Sequence, residues 1–344
     1  MTIPLMFRAA HLHLFVDLFH QVGIPVERAL ARSKLPGSIA ETPDAYVSLP
    51  LGLSWMARTG RDLAPMELGF FASRNFSIRA LSARVRAYLF SAGSGLERIE
   101  RALRLAALED SALTAAIRRE DERLRLIIDM PRIARHPHAC LVEWVNIQAL
   151  IAIVRSVAGE AWLPSEITFV CRRPIPTVAL EAFDTASTRV GQPCTSIVVD
   201  AATLAGPCPA PAFPAPVCGE GFEDTMGEGW SLPAALRSVI QPYLTDHGMS
   251  VAWAAEMAGL SPRTLQRRLR QSGTSYSELV QQARFELAHR WLSDAALPVG
   301  EVAAMAGYEN PQHFSRAFRK RTGLSPAAYR TQNQASWATP SSKP

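Results

Sequence analysis

Lysine is almost missing from this chain. Only Lys34, Lys320 and Lys343 stand among 36 basic side chains in 344 residues, so nearly every cation is an arginine. The planar arginine fork suits phosphates and guanine edges better than a point charge does, although a compositional bias of the source genome would give the same skew. Cysteine is scarce as well. Cys140, Cys171, Cys194, Cys208 and Cys218 form no CxxC pair and have no histidine partners at zinc spacing. That speaks against a zinc ribbon or a disulfide framework and leaves reduced, incidental thiols as the expectation, with a redox or metal role as the alternative. Long apolar runs are also lacking. Residues 144–154 are uncharged but too few to span a bilayer, and residues 201–219 carry prolines at 207, 209, 211, 214 and 216 that forbid a spanning helix. At the N-terminus Arg8 and Asp17 interrupt the apolar residues with no small-residue cleavage pattern. Neither a signal peptide nor a membrane span is expected, and the cytoplasm is the expected compartment.

Catalytic motifs are lacking too. No GxSxG elbow, P-loop, HExxH or GxGxxG in a strand-to-helix setting occurs, so no enzyme, no catalytic residue, no metal and no cofactor is expected. His136 and His138 flank Pro137, but a loop pair without a third ligand is expected to be solvated. Glu143 falls in an apolar helical stretch, where it is expected to be partly exposed, with a polar handle for a ligand as the alternative.

What is present divides the chain. Hydrophobic residues make up 48% and charged residues 19%, the balance of a globular protein long enough for two domains or more. The prolines of residues 206–216, followed by glycines at 219, 221, 227 and 229, read as a linker over 206–231. Residues 231–344 hold 13 basic and 7 acidic side chains, against 23 and 24 in the remainder. The excess positive charge therefore lies in the last third, as a polyanion-binding part requires.

That last third contains a repeat. Val251, Ala255, Ala258 and Gly259 recur as Val299, Ala303, Ala306 and Gly307, and one extra residue in the second turn then sets Leu265 and Leu269 against Phe314 and Phe318. Each copy reads as a short alanine-rich helix, a glycine turn and a second helix. Ser261 with Pro262, and Asn310 with Pro311, supply the same N-cap and first-turn signal twice. On the second helices the apolar pairs point inward, while Arg263, Gln266, Arg267 and Arg270 share one outer face and Gln312, Arg316 and Arg319 share the other. Glutamine and arginine make paired contacts with adenine and guanine edges, so two helix-turn-helix units with two recognition helices are expected. Between the copies, Ser275 and Glu278 have capping-box spacing ahead of Leu279, Ala283, Leu287 and Trp291. A connecting helix of about 17 residues, roughly 25 Å long, could hold two reading heads about one DNA turn apart.

Residues 232–331 resemble the DNA-binding domain of the AraC/XylS family of bacterial transcription regulators, most tellingly in AAMAGYENPQHFSRAFRKRTGLSPAAYR. The resemblance implies base-reading roles for Arg263, Gln266 and Arg267 and for Gln312, His313, Ser315 and Arg316. It implies phosphate contacts for Arg270, Arg319, Lys320 and Arg321. Pro311 departs from the family, many of whose members carry a polar residue there, and Pro298 lacks the capping hydroxyl that Ser250 offers in the first copy.

The first two thirds read as helical over residues 5–110, then as short strands around 113–117, 124–129, 167–171 and 197–200, with a helix over 138–159. The expected fold is thus an α+β sensor domain, residues 1–205, joined by the Pro-rich linker to an all-α domain, residues 232–331, with a disordered tail over 332–344. In length and order the first part resembles the arabinose-binding-like effector and dimerisation domain of the same family. The resemblance implies a transcription regulator, more readily an activator, with double-stranded promoter DNA and a small-molecule effector as partners and RNA polymerase as a third for an activator. A homodimer stays open, and no membrane partner is expected. A ligand-independent regulator with a dimerisation module in place of the sensor remains the alternative. The residues that would bind an effector are not legible.

Overall fold

The structure is a computed structural model that describes residues 3–208, 230–244, 249–292, 294 and 296–337, with side chains up to 332. It divides into two compact units, residues 5–230 and residues 1–4 with 231–344.

In the first unit the chain opens with β1 (Met6–Arg8), α1 (Ala9–Gln21) and α2 (Val26–Ala31), then β2 (Tyr46–Ser48), α3 (Leu49–Thr59), α4 (Pro65–Ser73), α5 (Ala83–Phe90) and α6 (Gly95–Glu109). The expectation of helices is met except for β1 and β2, which pair antiparallel, Met6 opposite Ser48. Two three-residue strands carry too little alternation to register in sequence. Next come β3 (Thr114–Glu120), β4 (Arg123–Asp129), α7 (Cys140–Ala158), β5 (Glu166–Thr168), α8 (Thr177–Ala182), β6 (Ser187–Arg189), β7 (Ser196–Asp200) and α9 (Ala201–Leu204). The strands form one sheet in the order β3-β4-β7-β5-β6, antiparallel except for the β5–β6 pair.

Helix α7 lies in the centre of this unit. Its mean hydropathy of 1.5 and 19 residues would suffice to cross a bilayer, but 67% of that apolar window is buried inside the fold, as a core helix requires. Trp144 is buried among Phe70, Phe169 and Phe183, with ring centroids 5.0, 4.7 and 5.8 Å away. Aromatic packing of this kind ties α4 and the sheet to one helix.

Residues 206–208, where composition places the start of a linker, are held to the first unit. Gly95 N donates to Gly206 O at 3.1 Å and Cys208 N to Gly93 O at 3.4 Å, so residues 206–208 are bridged to the loop ahead of α6. Trp230, at the far end, donates its indole N–H to Ala107 O at 2.8 Å. The proline-rich and glycine-rich stretch between, 209–229, lies outside the described residues.

Among the described residues the regular elements of the second unit are all helices: α10 (Leu232–Ile240), α11 (Val251–Met257), α12 (Pro262–Gln271), α13 (Tyr276–Leu292), α14 (Val299–Met305), α15 (Pro311–Thr322) and α16 (Pro326–Trp337). Residues 332–337, placed by composition in a disordered tail, continue α16 instead; no proline or glycine interrupts that stretch, and its glutamines and alanine tolerate helix. Residues 338–344 lie outside the described residues. Ile3 and Pro4 group with this unit, where Ile3 packs against the core.

Helix α13 holds the unit together. Leu279, Ala283 and Leu287 face a core built from α10, α11 and α12, while Ala288 and Leu292 face a second core built from α14 and α15. Trp291 packs against both. The 17 residues agree with the length expected, and so does the capping box: Ser275 N donates to Glu278 Oε2 at 2.7 Å, and Glu278 N donates to Ser275 Oγ at 3.2 Å.

Candidate nucleic-acid interface

The two repeats fold alike. In each, a glycine in the left-handed region ends the short helix: Gly259 at φ +64° and Gly307 at φ +76°. The next amide reaches back to the same carbonyl in both, Leu260 N to Ala255 O and Tyr308 N to Ala303 O, each at 2.9 Å. This closure satisfies carbonyls at the helix end and turns the chain toward the second helix.

The second helices begin as their sequences predict. Ser261 Oγ accepts from Thr264 N at 3.2 Å with Pro262 next in the chain, and Asn310 Oδ1 accepts from Gln312 N at 2.7 Å with Pro311 next. Ser250 caps α11 through Trp253 N, whereas Pro298 gives α14 no side-chain cap. Leu265 and Leu269 are buried against Ala254, Ala255 and Ala258. In the second copy Phe314 and Phe318 are buried against Val302, Ala303 and Ala306.

Burying one face of each helix leaves the other in solvent. Arg263, Gln266, Arg267 and Arg270 are exposed on α12; Gln312, His313, Arg316, Arg319, Lys320 and Arg321 are exposed on α15. Ser315 is half-buried, so its hydroxyl is the least accessible of the residues that the sequence singles out. Each of these second helices carries four arginine or lysine side chains and no carboxylate. Among the described residues no ion pair engages Arg263, Arg267, Arg316 or Arg319, so their charge is not neutralised locally. Two side chains are positioned by neighbours. Arg270 Nε donates to Gln266 O at 3.4 Å, and the Arg321 guanidinium lies 4.6 Å from the centre of the Phe285 ring on α13.

A second feature was not legible in the sequence. The first unit contains a cavity of about 520 Å³ between the end of β4, the start of α7 and the chain after β5. Glu143 lines it and is buried, not partly exposed as its place in the sequence suggests. Its carboxylate accepts from Val170 N at 2.9 Å, Cys171 N at 3.0 Å and Thr195 Oγ1 at 2.9 Å. Burial outweighs those hydrogen bonds and pushes its pKa up to about 7. The helical periodicity located α7, but the loop after β5 that folds over Glu143 comes from 27 residues farther on.

His136 and His138 are half-buried, not solvated, and their rings are 5.6 Å apart. Burial, and then the neighbouring His138, lower the pKa of His136. Among the described residues no group of three or more histidine, cysteine or acidic side chains could hold a metal. Cys140, Cys171, Cys194 and Cys208 are free thiols, and Cys218 lies outside the described residues.

Residues 254–332 match the family model described as a helix-turn-helix domain, a span that includes α12 and α15. Residues 23–208 match the one described as the arabinose-binding domain of AraC transcription regulator, N-term, and that is 186 of the 344 residues. The chain belongs to the AraC family of transcription regulators. Among curated relatives, this AraC-family chain is 36% identical over 98 residues to the transcriptional activator NphR of a Rhodococcus species, covering 28% of this chain and 29% of that one. It is 39% identical over 77 residues to the ornithine utilization regulator of Pseudomonas aeruginosa, 22% of this chain and 23% of that one. Both matches therefore span less than a third of those relatives. Among solved structures, the transcriptional regulator CdpR of P. aeruginosa aligns over 81% of this chain and 90% of its own, at 21% identity and a TM-score of 0.38. The DNA-binding domain of AdpA in complex with a target DNA aligns over 30% and 94%, at 30% identity and a TM-score of 0.28.

Proposed function

We propose that this AraC-family regulator is a transcription activator whose two recognition helices read promoter DNA and whose N-terminal unit responds to a small-molecule effector. One observation carries the DNA reading: the same capped, glycine-turned helix pair occurs twice, each time with an exposed, unneutralised arginine and glutamine face. A surface that served only for solubility would not need two matching caps, turns and inward pairs.

The roles divide by chemistry. Arg263, Gln266, Arg267, Gln312, His313 and Arg316 lie on the exposed faces of the first two turns or so, where side chains reach base edges. Ser315, half-buried, completes the second set at closer range. Arg270, Arg319, Lys320 and Arg321 lie nearer the helix ends and meet phosphates, which position the protein without reading sequence. The effector occupies the cavity beside α7, whose volume suits a small organic molecule. Its binding shifts a balance between two conformations by no more than its differential affinity for them. In this reading the chain does no catalysis, works in the cytoplasm, and as an activator engages RNA polymerase; a homodimer would pair its promoter half-sites.

The test is recovery of genomic fragments by the purified full-length protein, beside a full-length variant carrying Arg263→Ala and Arg316→Ala. A shared two-box motif spaced by about one helical turn, captured by the parent and lost by the variant, is the expected result. Equal recovery of unrelated sequences by both proteins would reduce the arginine faces to a non-specific basic surface.

A further inference from the structure

Two of the thiols meet at the wall of the cavity. Cys140 is the first residue of α7, and Cys171 follows β5; the two are 31 positions apart in sequence, yet Glu143, three residues along α7 from Cys140, accepts from Cys171 N at 3.0 Å. Both line the same cavity of about 520 Å³. Cys140 is buried, while Cys171 is half-buried, so the cavity side offers an approach to Cys171 first.

The surroundings give the two sulfurs different characters. Arg173 N donates to Cys171 Sγ at 3.3 Å, and the positive charge of Arg173 acts on the same sulfur. The Cys140 thiol beside it on the cavity wall is the strongest of these influences, and burial opposes them. Three influences thus favour negative charge on Cys171 and hold its thiol below the usual range. Cys140, buried and facing that negative charge, is pushed up and keeps its proton. Glu143 completes the arrangement. By accepting from the amides of Val170 and Cys171 it fixes the chain that carries Cys171 against the helix that carries Cys140.

We propose that Cys171 is a peroxide-reactive thiol opening into this cavity and that Cys140 is its resolving partner. The Cys171 thiolate attacks one oxygen of hydrogen peroxide or a small hydroperoxide; the O–O bond breaks and Cys171 becomes a sulfenic acid. The departing hydroxide takes the proton that the Cys171 thiol gave up on ionising and leaves as water, or, from a hydroperoxide, as the alcohol. The Cys140 sulfur then attacks Cys171 Sγ, the S–O bond breaks, and the Cys140 proton leaves with the hydroxyl as a water. Two thiols are oxidised by two electrons, one peroxide is reduced, and a disulfide joins the start of α7 to the chain after β5. The chemistry needs only these two residues and the peroxide, whether or not an effector fills the rest of the cavity.

The test uses the reduced full-length chain, treated with hydrogen peroxide and followed by intact mass and peptide mapping. The expected product is lighter by about 2 Da, with the peptide of Cys140 linked to that of Cys171. Cys171 should be consumed at least about tenfold faster than Cys194 or Cys208, as its thiolate character implies. In Cys140→Ser the reaction should stop at a sulfenic acid on Cys171 that dimedone traps, and in Cys171→Ser Cys140 should stay reduced. Modification of Cys171 no faster than Cys194 and Cys208, or oxidation of Cys171 with Cys140 left free in the parent protein, would overturn the proposal. Because the parent's peptide map decides on its own, a Cys140→Ser chain that fails to fold does not rescue it.

Discussion

Gly307 passes over the carbonyl of Leu244 so closely that a β-carbon at Gly307 would lie 2.2 Å from that oxygen. Its counterpart in the first repeat, Gly259, has the same left-handed backbone but open space around it. The two glycines therefore serve one turn geometry under different constraints. Gly259→Ala pays only the left-handed strain, about 1–2 kcal/mol. Gly307→Ala adds a backbone clash that no flexible side chain can relieve, and a loss of at least about 3 kcal/mol is expected. Urea unfolding of the two full-length variants checks this; equal losses would show that the second turn yields where the first does.

The C-terminal unit was legible because its information is local. Caps at Ser261 and Asn310, turns at Gly259 and Gly307, and the four-residue spacing of Leu265 with Leu269 and Phe314 with Phe318 all lie within one or two helical turns of each other. Sequence periodicity reports such features directly. The cavity was not legible, because Glu143, Cys171 and Thr195 come from a helix, a loop and a strand entry separated by tens of residues. No spacing rule joins Cys140 to Cys171. The exposure expected for Glu143 failed for the same reason: nothing in the pattern of α7 reveals the loop that covers it.

A similar long-range link secures β1. Arg8 is buried, donates to Glu109 Oε2 at 2.7 Å and to Ala80 O at 3.0 Å, and also pairs with Asp44. Glu109 accepts as well from Ser82 N at 3.1 Å. Burial alone would raise the pKa of Glu109, but the His11 ring nitrogen 3.3 Å from its carboxylate and the Arg8 charge outweigh it and bring it down to about 2. Removing one partner strands the other in the core. Arg8→Met should cost about 3–5 kcal/mol, and the double change with Glu109→Gln less than the sum of the two single changes. A thermal-unfolding double-mutant cycle measures this, and additive losses would deny the coupling.

Acidity should act on the first unit in two opposite ways. Glu109, depressed below its usual 4.5, lends stability that is present above that value and lost as the pH falls toward 2. Asp110 and Glu143 are both raised to about 7, chiefly by burial, from usual values of 3.8 and 4.5. The folded state holds their protons more tightly than the unfolded chain does. Their contribution is therefore fully present below the usual values and lost as the pH rises through about 7. Between pH 5 and 7 each costs up to about 1.4 kcal/mol per pH unit. Calorimetry should show the unit melting higher at pH 5 than at pH 8, with Glu143→Gln flattening the slope. A melting point that climbs over that interval would contradict the burial of both groups.

Arg316 and Arg321 test the division of labour along α15. Arg316 projects freely from the middle of the exposed face, whereas Arg321 lies in the last turn with its guanidinium against Phe285. A base-reading arginine should cost about 1–3 kcal/mol when cut to alanine, and the loss should fall on the specific site alone. A phosphate contact should weaken every sequence alike and lower the salt slope by about 1. Binding titrations of the two full-length variants, on a recovered site and on random duplex at several salt concentrations, separate these outcomes. Should Arg316→Ala weaken both duplexes equally, the freely projecting residue would be a phosphate contact after all, and sequence reading on α15 would fall to Gln312 and His313, in the helix's first turn.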